Sequence, residues 1–351
     1  MEPLHFTGAL GDLRSEEEQT KDFAHEEIAS ATKLEWKEKK EWKTYSVKRQ
    51  YYTSQCVGHS LAKHLAINNL IETGKYEDLS GEFPYSFRAN KPGHGMMWDD
   101  SMNIGTTKGS CKMNRIVQRI RDTEPETEIT EEMIKEAAEK AGKLYFSVKG
   151  EITMKVIAEI IERQGSCILW VWFDVEGKEW WRVTPKIKYQ DLATYDDDAT
   201  RHAIVAVDYG LKDGEKVIII EDSAGNNSAE DDQRRYLNKN FIKRIFKAGY
   251  IIDKPNPKPK EEREKPKYIF TRILKVGSRG KDVQALQKIL IYEGFLALPN
   301  GPTEYFGGLT RSALIKWQEA HSDRVLKPWG LSKGTGVFAM KSIEYANEIY
   351  G

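Results

Sequence analysis

The sequence predicts an α+β domain followed by a separate small helical bundle, and three observations lead to this prediction. Helix-like patterns come before strand-like runs in the first part of the chain, which favours an α+β fold over alternating βαβ units. Four of the twelve prolines fall between Pro255 and Pro266, in a charged stretch that is typical of an extended linker. Beyond this stretch only helical patterns return. We therefore expect two domains of unequal size.

The first domain shows helical periodicity before strand patterns. The longest helix is predicted over Cys56–Thr73 and ends at Gly74. The other elements are two helices, Glu131–Ala141 and Met154–Arg163, and three strands, Ile168–Phe173, Ala203–Val207 and Val217–Glu221. The predicted boundaries are residues 1–252 for this domain, with an arm at 1–46, then a linker at 253–268 and the helical domain at 269–351.

The second domain is predicted to contain three helices. The first places Val283, Leu286 and Leu290 on one face, and a third is expected over Val337–Ile349. Between them, Thr310 is predicted as an N-cap, with three apolar residues facing inward: Ala313, Leu314 and Trp317. This segment contains no evident nucleophile or metal cluster, which is typical of a binding module.

The composition is that of a globular chain for which we expect neither a nucleic-acid nor a membrane partner. Among 351 residues, 39% are hydrophobic, and 54 basic residues balance 54 acidic ones, so no overall basic field attracts phosphate. The longest apolar run, Cys167–Phe173, is far shorter than the about 20 residues of a membrane-spanning helix. Three cysteines and the absence of a basic leader at Met1–Gly8 predict cytoplasmic synthesis without a signal peptide.

One cysteine has the sequence context of a nucleophile. Cys56 opens the long helix, where unpaired amide groups and a partial positive charge favour a thiolate. His202 stands at the mouth of a predicted strand, and Asp222 follows another strand at a turn. A base oriented by a third group is the usual means of activating such a nucleophile. The order and spacing therefore predict a Cys56-His202-Asp222 triad.

These residues resemble the papain-like cysteine peptidases. Val47-Lys-Arg-Gln50 before Cys56 is similar to the family's lead-in to its nucleophile, and by resemblance Gln50 helps form the oxyanion hole. His202–Gly210 and Glu221–Gly225 resemble the family's histidine strand and asparagine turn. The resemblance covers about residues 20–252 and implies a two-subdomain fold, one part helical and one an antiparallel sheet. It also assigns Gly93, Gly95 and Met96 to the substrate-cleft wall.

The sequence departs from the family pattern at three points near the site. Asp222 replaces an asparagine, Ala224 replaces a tryptophan that shields the dyad, and Thr53 replaces a disulfide cysteine. We therefore expect a wetter contact between His202 and its acid. The sequence before Gln50 is also too short for a long inhibitory propeptide, which predicts that no zymogen segment is built in.

The helical domain resembles the peptidoglycan-binding-like domain attached to cell-wall hydrolases. The matching positions are Gly277, Gly280, Val283, Leu286, Gln287, Phe306, Gly307, Thr310, Ala313, Gln318 and Gly334-Thr-Gly336. Packing and turns explain most of these positions, so they indicate the fold better than the ligand. Binding of peptidoglycan by residues 269–351 is therefore a hypothesis, and docking to another protein is the alternative.

Several residues have simpler interpretations. Cys111 and Cys167 are predicted core residues. His59 and His64 could form a zinc set with Cys56, but the three do not share one helix face, so we interpret both histidines as part of a solvated helix. The acidic run at 196–198 is interpreted as a solvated loop, with stabilisation of an imidazolium as the alternative.

The sequence as a whole predicts a bacterial or phage thiol protease, a hydrolase that needs no cofactor or metal. Its expected substrate is a protein or a cell-wall peptide, and its expected location is the cytoplasm, the virion, or outside after lysis. The first alternative is a catalytically idle protein whose two domains dock to partners such as virion proteins. The second alternative keeps the triad but transfers the acyl group to an amine.

Overall fold

The chain folds into two compact units. The computed structural model describes residues 8–12, 14–19, 22–28, 34–173, 186–187, 200–224, 234–252, 265–296, 298 and 301–351. The first unit comprises Met1–Leu13, Thr32–Tyr145 and Glu151–Lys254, and the second comprises Arg14–Ala31, Phe146–Gly150 and Pro255–Gly351. The second unit thus takes two short segments from the region predicted as one domain. Most of the predicted linker, 253–264, lies outside the described residues, so the predicted boundary stays a prediction.

The described elements are mixed helices and strands. The helices are Glu16–Gln19 (α1), His25–Ile28 (α2), Cys56–Thr73 (α3), Glu82–Tyr85 (α4), Trp98–Thr107 (α5), Glu131–Ala138 (α6), Met154–Gln164 (α7), Lys239–Ile242 (α8), Lys281–Tyr292 (α9), Gly308–Ala320 (α10), Ser322–Val325 (α11) and Met340–Tyr350 (α12). The strands are Phe23–Ala24 (β1), Leu144–Ser147 (β2), Cys167–Phe173 (β3), Lys186–Ile187 (β4), Thr200–Lys212 (β5), Glu215–Glu221 (β6), Arg234–Leu237 (β7) and Ile245–Ile252 (β8). The predicted α+β class is confirmed, and the predicted elements appear with shifted ends, most of all at β5, which extends well beyond the predicted Ala203–Val207.

Local capping fixes the long helices of the first unit. At the end of α3, Gly74 adopts a left-handed conformation (φ 74°) and its N–H bonds to the Leu70 carbonyl at 2.8 Å. At the start of α7, the Thr153 hydroxyl accepts a hydrogen bond from the Val156 N–H. None of the described helices is long and apolar enough to cross a bilayer.

A twisted sheet packs against α3 in the first unit. Its strands lie in the order β8-β3-β5-β6-β7-β4, with antiparallel neighbours except for the parallel pair β7-β4. The apolar core joins helix residues such as Leu61 and Leu65 to sheet residues such as Trp170 and Ala203. Trp98 meets Trp170 edge-to-face at 5.3 Å between ring centroids. This packing holds the start of α3 against the middle of the sheet.

Helix α3 is buried on all sides over its first twelve residues, Cys56 to Ile67. The prediction that His59 and His64 lie on a solvated helix face is therefore wrong. His64 Nε2 accepts from the Ile251 N–H at 2.8 Å, and its Nδ1 lies 2.7 Å from the Ser166 hydroxyl. The Ile251 backbone in β8 and Ser166, just before β3, satisfy this imidazole, which is why a polar side chain can face the core.

The second unit is built around three long helices, α9, α10 and α12, as predicted. Val283, Leu286 and Leu290 are buried together with Leu314 and Trp317. The list of predicted inward residues is thus confirmed, but Thr310 is not an N-cap. Helix α10 begins earlier, at Gly308, and Thr310 is buried inside it, where its hydroxyl accepts from Gln287 Nε2 at 2.9 Å.

Two buried glutamines of the second unit tie loops to helices. The Gln287 side chain bonds to the Thr303 N–H at 2.6 Å and the Tyr305 carbonyl at 2.8 Å. The Gln318 side chain bonds to the Gly336 N–H at 3.0 Å and the Val337 carbonyl at 2.8 Å. These contacts explain both motif glutamines by packing, in agreement with the sequence analysis.

Candidate active site

The site begins at the first residue of α3. Cys56 starts this 18-residue helix, and its side chain is fully buried. The loop before it turns sharply because Tyr51 adopts a left-handed conformation (φ 51°). Asp122 fixes the same loop by accepting from the Ser54 N–H at 3.0 Å and from the Ser54 hydroxyl at 2.7 Å. The sulfur is therefore held at the positive end of a long helix dipole.

His202 and Asp222 meet beside this helix terminus. His202 is the third residue of β5, and Asp222 directly follows β6, the antiparallel neighbour of β5. The His202 Nε2 atom lies 2.7 Å from Asp222 Oδ1, and both side chains are fully buried. The Ala224 N–H also donates to Asp222 Oδ1, at 2.9 Å. The carboxylate thus fixes the imidazole through one ring nitrogen.

Neighbouring charges determine the direction in which the pKa values of His202 and Asp222 shift. Burial lowers the pKa of His202, but the neighbouring Asp222 and Cys56 outweigh burial and raise that pKa to about 10. Burial alone would raise the pKa of Asp222, whereas the adjacent His202 and Arg235 hold it below its usual range. At neutral pH the structure therefore favours an imidazolium between the carboxylate and the cysteine sulfur.

Gln50 connects the loop before Cys56 to the turn after Asp222. Its N–H donates to the Ser223 carbonyl at 2.8 Å, and its side-chain oxygen accepts from the Ser223 hydroxyl at 2.9 Å. Its side-chain Nε2 donates to the Thr53 carbonyl at 2.9 Å. Gln50 is buried. These bonds fix the amide in a single orientation beside the start of α3.

The three residues predicted for the cleft wall have different surroundings. The Gly93 carbonyl accepts from the Arg88 side chain at 2.6 Å. Gly95 has a positive φ of 77° and its N–H bonds to the Tyr85 hydroxyl at 3.0 Å. Met96 is buried and pairs with Ala9 in a parallel bridge. Among the described contacts of these three residues, only those of Met96 reach residues 8–12, the segment that lies beside Cys56.

The expected wet contact between His202 and its acid is wrong. His202, Asp222 and Ala224 have relative exposures of 0%, 0% and 1%, so the missing tryptophan leaves no water-filled gap there. The prediction for the other cysteines is confirmed, since Cys111 and Cys167 are buried and free. Burial raises the pKa of Cys111 to about 11 and also raises that of Cys167. Gly225 and the acidic run at 196–198 lie outside the described residues.

Sequence reasoning missed a charged pair behind the site. The Lys63 ammonium and the Glu221 carboxylate lie 2.9 Å apart, and both side chains are buried. Glu221 directly precedes Asp222 in the chain. The Glu221 carboxylate also accepts from the Lys48 N–H at 3.1 Å. No local pattern marks such a pair, because a lysine on a helix is normally solvated.

Part of the second unit matches a family model, and most of the chain resembles solved structures. Residues 279–322 match the family model described as "Putative peptidoglycan binding domain". No curated protein sequence matches the chain significantly. The structure of xylellain, a cysteine protease from Xylella fastidiosa, is similar with a TM-score of 0.56 at 17% identity, over 72% of this chain and 98% of xylellain. Digestive procathepsin L 3 from Tenebrio molitor larval midgut gives a TM-score of 0.49 at 14% identity, over 68% of this chain and 79% of its own.

The likeness to xylellain establishes the fold, and the family model identifies part of the helical region. In this chain a long helix that starts with Cys56 packs on an antiparallel sheet carrying His202. The chain therefore has the papain-like α+β fold, and residues 279–322 of its helical region match the model of a putative peptidoglycan binding domain.

Proposed function

We propose that the chain is a cysteine endopeptidase that acts through Cys56, His202 and Asp222. The observation that carries this proposal is the buried His202–Asp222 pair, which interacts electrostatically with the sulfur at the N-terminus of α3. A thiolate paired with an imidazolium is the reactive form of a cysteine nucleophile. The papain-like fold supports the same assignment.

The proposed reaction has two steps. The Cys56 sulfur attacks the peptide carbonyl carbon, and His202 gives its proton to the leaving amine as the C–N bond breaks. A water molecule then attacks the thioester carbon while His202 takes up one of its protons. The C–S bond breaks, which releases the acid and restores the Cys56 thiolate beside the His202 imidazolium. Asp222 keeps the imidazole oriented through both steps. The Gln50 amide and the Cys56 backbone N–H stabilise the oxyanion.

We also propose that the second unit, here called the helical unit, holds the enzyme on peptidoglycan, an anionic polymer of the cell wall. A groove of about 690 Å³ in this unit is lined by four lysines and two tyrosines, namely Lys265, Lys267, Lys281, Lys288, Tyr268 and Tyr292. The described lining residues include no Asp or Glu. Carboxylates of peptidoglycan stem peptides suit such lysines, and sugar rings suit the tyrosine faces. The match of 279–322 to a peptidoglycan-binding model supports this assignment.

The test compares Cys56→Ser with Cys111→Ser as a matched control. Each chain is incubated with a casein-type substrate and, separately, with purified cell wall, and new amino termini are counted. We expect Cys56→Ser to abolish cleavage and Cys111→Ser to retain it. An added amine acceptor distinguishes acyl transfer, because it would yield amide product in place of free acid. A folded chain without cleavage under any condition would favour the idle docking protein.

A further inference from the structure

A short segment from another part of the first unit holds the loop that leads to the nucleophile. Residues 118–122 are here called the support segment, and residues 49–55, which carry Gln50 and end just before Cys56, are called the oxyanion loop. Residues 118, 120 and 122 bond to residues 49, 52 and 54 respectively. The three cysteines of the chain are free, so no disulfide holds this loop. Its geometry therefore depends on noncovalent contacts.

Gln118 fixes the peptide unit between Arg49 and Gln50. Its side-chain Nε2 donates to the Arg49 carbonyl. The N–H of the same peptide unit, which belongs to Gln50, donates to the Ser223 carbonyl at 2.8 Å. Because a peptide unit is planar, bonds at both of its edges fix its orientation. The Gln50 side chain, the proposed oxyanion donor, therefore projects from a backbone that is held from two directions.

A buried histidine determines the orientation of the Gln118 amide. Gln118 Nε2 also lies 3.2 Å from His59 Nε2. Burial lowers the pKa of His59 to about 3, so its imidazole is neutral at pH 7 and Nε2 can accept a hydrogen bond. The reverse orientation of the amide would place its oxygen against the Arg49 carbonyl. The amide donor is therefore directed at the peptide unit that precedes Gln50.

The support segment also holds a strained turn in the oxyanion loop. Tyr51 adopts a left-handed conformation (φ 51°), which a non-glycine residue keeps only where its surroundings hold it. The next residue supplies such a contact, since the Tyr52 N–H donates to the Ile120 carbonyl at 3.0 Å. The Arg121 guanidinium lies over the Tyr52 ring, 5.6 Å from its centroid. These contacts stabilise the turn directly after Gln50.

Asp122 holds the last part of the oxyanion loop. Its carboxylate accepts from the Ser54 N–H at 3.0 Å and from the Ser54 hydroxyl at 2.7 Å. A charged acceptor forms a stronger hydrogen bond than a neutral one. Two residues later, the Cys56 N–H, which is the second proposed oxyanion donor, begins helix α3. Asp122 therefore fixes the backbone immediately before that donor.

A buried carboxylate connects the support segment to the residue between Ser54 and Cys56. Arg119 Nε donates to Glu82 Oε1 at 2.9 Å, and Gln55 Nε2 donates to Glu82 Oε2 at 2.7 Å. The Arg119 and Glu82 side chains are buried. Charge-assisted bonds in such a position are strong, because water does not compete for them. The loop is thus held along its whole length.

We propose that the support segment positions both oxyanion donors, with Gln118 acting on Gln50 and Asp122 acting on the Cys56 N–H. Gln118 and Asp122 are positioning residues, since each acts through the oxyanion loop. A misplacement of about 1 Å can cost about 10²-fold in rate, so the loss of one anchor should be measurable in kcat. This inference rests on the proposed peptidase function.

The first experiment measures kcat and KM for cleavage of a soluble peptide by full-length variants. Gln118→Leu removes the donor to the Arg49 carbonyl and should lower kcat about 10-fold with KM within about 2-fold, because oxyanion donors act mainly in the transition state. In the Gln50→Ala chain, the same substitution should lower kcat by less than about 2-fold, since the residue through which Gln118 acts is then absent. Equal losses in both backgrounds would overturn the role of Gln118.

The second experiment makes the same measurements for Asp122. Asp122→Asn keeps an acceptor for Ser54 and should retain kcat within about 3-fold, whereas Asp122→Ala should lower kcat about 10-fold. Thr123→Ala, at the exposed neighbouring position, is the matched control and should leave both kinetic constants unaltered. Equal kcat values for the Asn and Ala chains, or a rise in KM alone, would refute Asp122 as a positioning residue.

Hydrogen exchange separates failure of this inference from failure of the proposed function. In a fragment that spans residues 49–55, Asp122→Ala should raise amide exchange at least about 10-fold, and Thr123→Ala should not. If the loop responds in this way but no chain, the original included, cleaves peptide, the support of the loop stands and the peptidase function fails. If the original chain cleaves peptide and Asp122→Ala alters neither exchange nor kcat, the function stands and this inference is wrong.

Discussion

His202 Nε2 lies 2.7 Å from Asp222 Oδ1 in a site that excludes water from both side chains. In such surroundings a charged pair is stable only because each member satisfies the other, and the Ala224 N–H supplies a further bond to the carboxylate. The pair thus orients the imidazole and also sets its charge. These two effects can be separated by substitution at residue 222.

Asp222→Asn is expected to keep kcat/KM within about 10-fold of the parent, because an amide oxygen can still orient His202. Asp222→Ala should lose about 10²-fold or more, since nothing then holds the ring. Removing the anion should also lower the His202 pKa from about 10, so the upper pH limit of activity should fall in the Asn chain. The measurement is a pH–rate profile of peptide cleavage by each chain. An Asn chain as inactive as the Ala chain would show that the negative charge itself is required.

Gln50→Ala is expected to lower kcat about 10²-fold with little change in KM, because an oxyanion donor acts mainly in the transition state. Gln50 also bonds to Ser223, so loss of that contact must be tested separately. Ser223→Ala is the matched control, since it removes the partner of the Gln50 side-chain oxygen and leaves the donor in place. We expect its kcat to stay within about 5-fold. Equal losses in both variants would assign Gln50 to loop support.

The sequence predicted the elements that carry the triad because their signals are local. Periodicity and a terminal glycine define α3, and apolar runs before polar turns define the strands of His202 and Asp222. The buried polar groups on α3 could not be predicted in this way. Glu221, which pairs with Lys63, and Ser166 and Ile251, which bond to His64, lie more than a hundred residues away in the chain.

The position of residues 8–12 beside Cys56 was missed for the same physical reason. Residues 8–12 have no periodicity, and their contacts with Met96 and Arg201 depend on the complete fold. Two glycines in Gly8-Ala-Leu-Gly11 were the available signal, since glycine allows close backbone approach. That signal is too common to locate a binding partner without the structure.

Breaking the Lys63–Glu221 pair should destabilise the fold strongly. Lys63→Met leaves the Glu221 carboxylate without its 2.9 Å partner in a fully buried position, for which the expected cost is about 3–5 kcal/mol. The exposed pair Arg324–Glu348 is the control, and Glu348→Gln should cost less than about 1 kcal/mol. Urea unfolding at pH 7 measures both values. Similar small losses would mean that water reaches Lys63.

The stability of the chain should fall as pH decreases below neutral, and His64 should account for part of the fall. Burial lowers the pKa of His64 from 6.5 to about 4, so between these values the unfolded chain binds more protons than the folded one. Stability is then lost as pH falls through this window, by roughly 3 kcal/mol at most. His64→Gln should reduce the slope of unfolding free energy between pH 7 and 5. The exposed His94, changed to Gln, should leave the slope unaltered.

The lysine groove of the helical unit should decide binding to the insoluble wall. Lys281→Glu combined with Lys288→Glu reverses two charges in the groove and should lower the bound fraction of the full chain about 10-fold or more in a pull-down with purified peptidoglycan. Lys316→Glu with Lys333→Glu makes the same change in net charge at exposed positions outside the groove and should have little effect. Cleavage of a small soluble peptide should be the same in both double variants, because the groove affects local concentration and not chemistry. If both double variants stay bound, or if the unsubstituted chain does not bind, the wall assignment is wrong. Docking to another protein then becomes the better account of this unit.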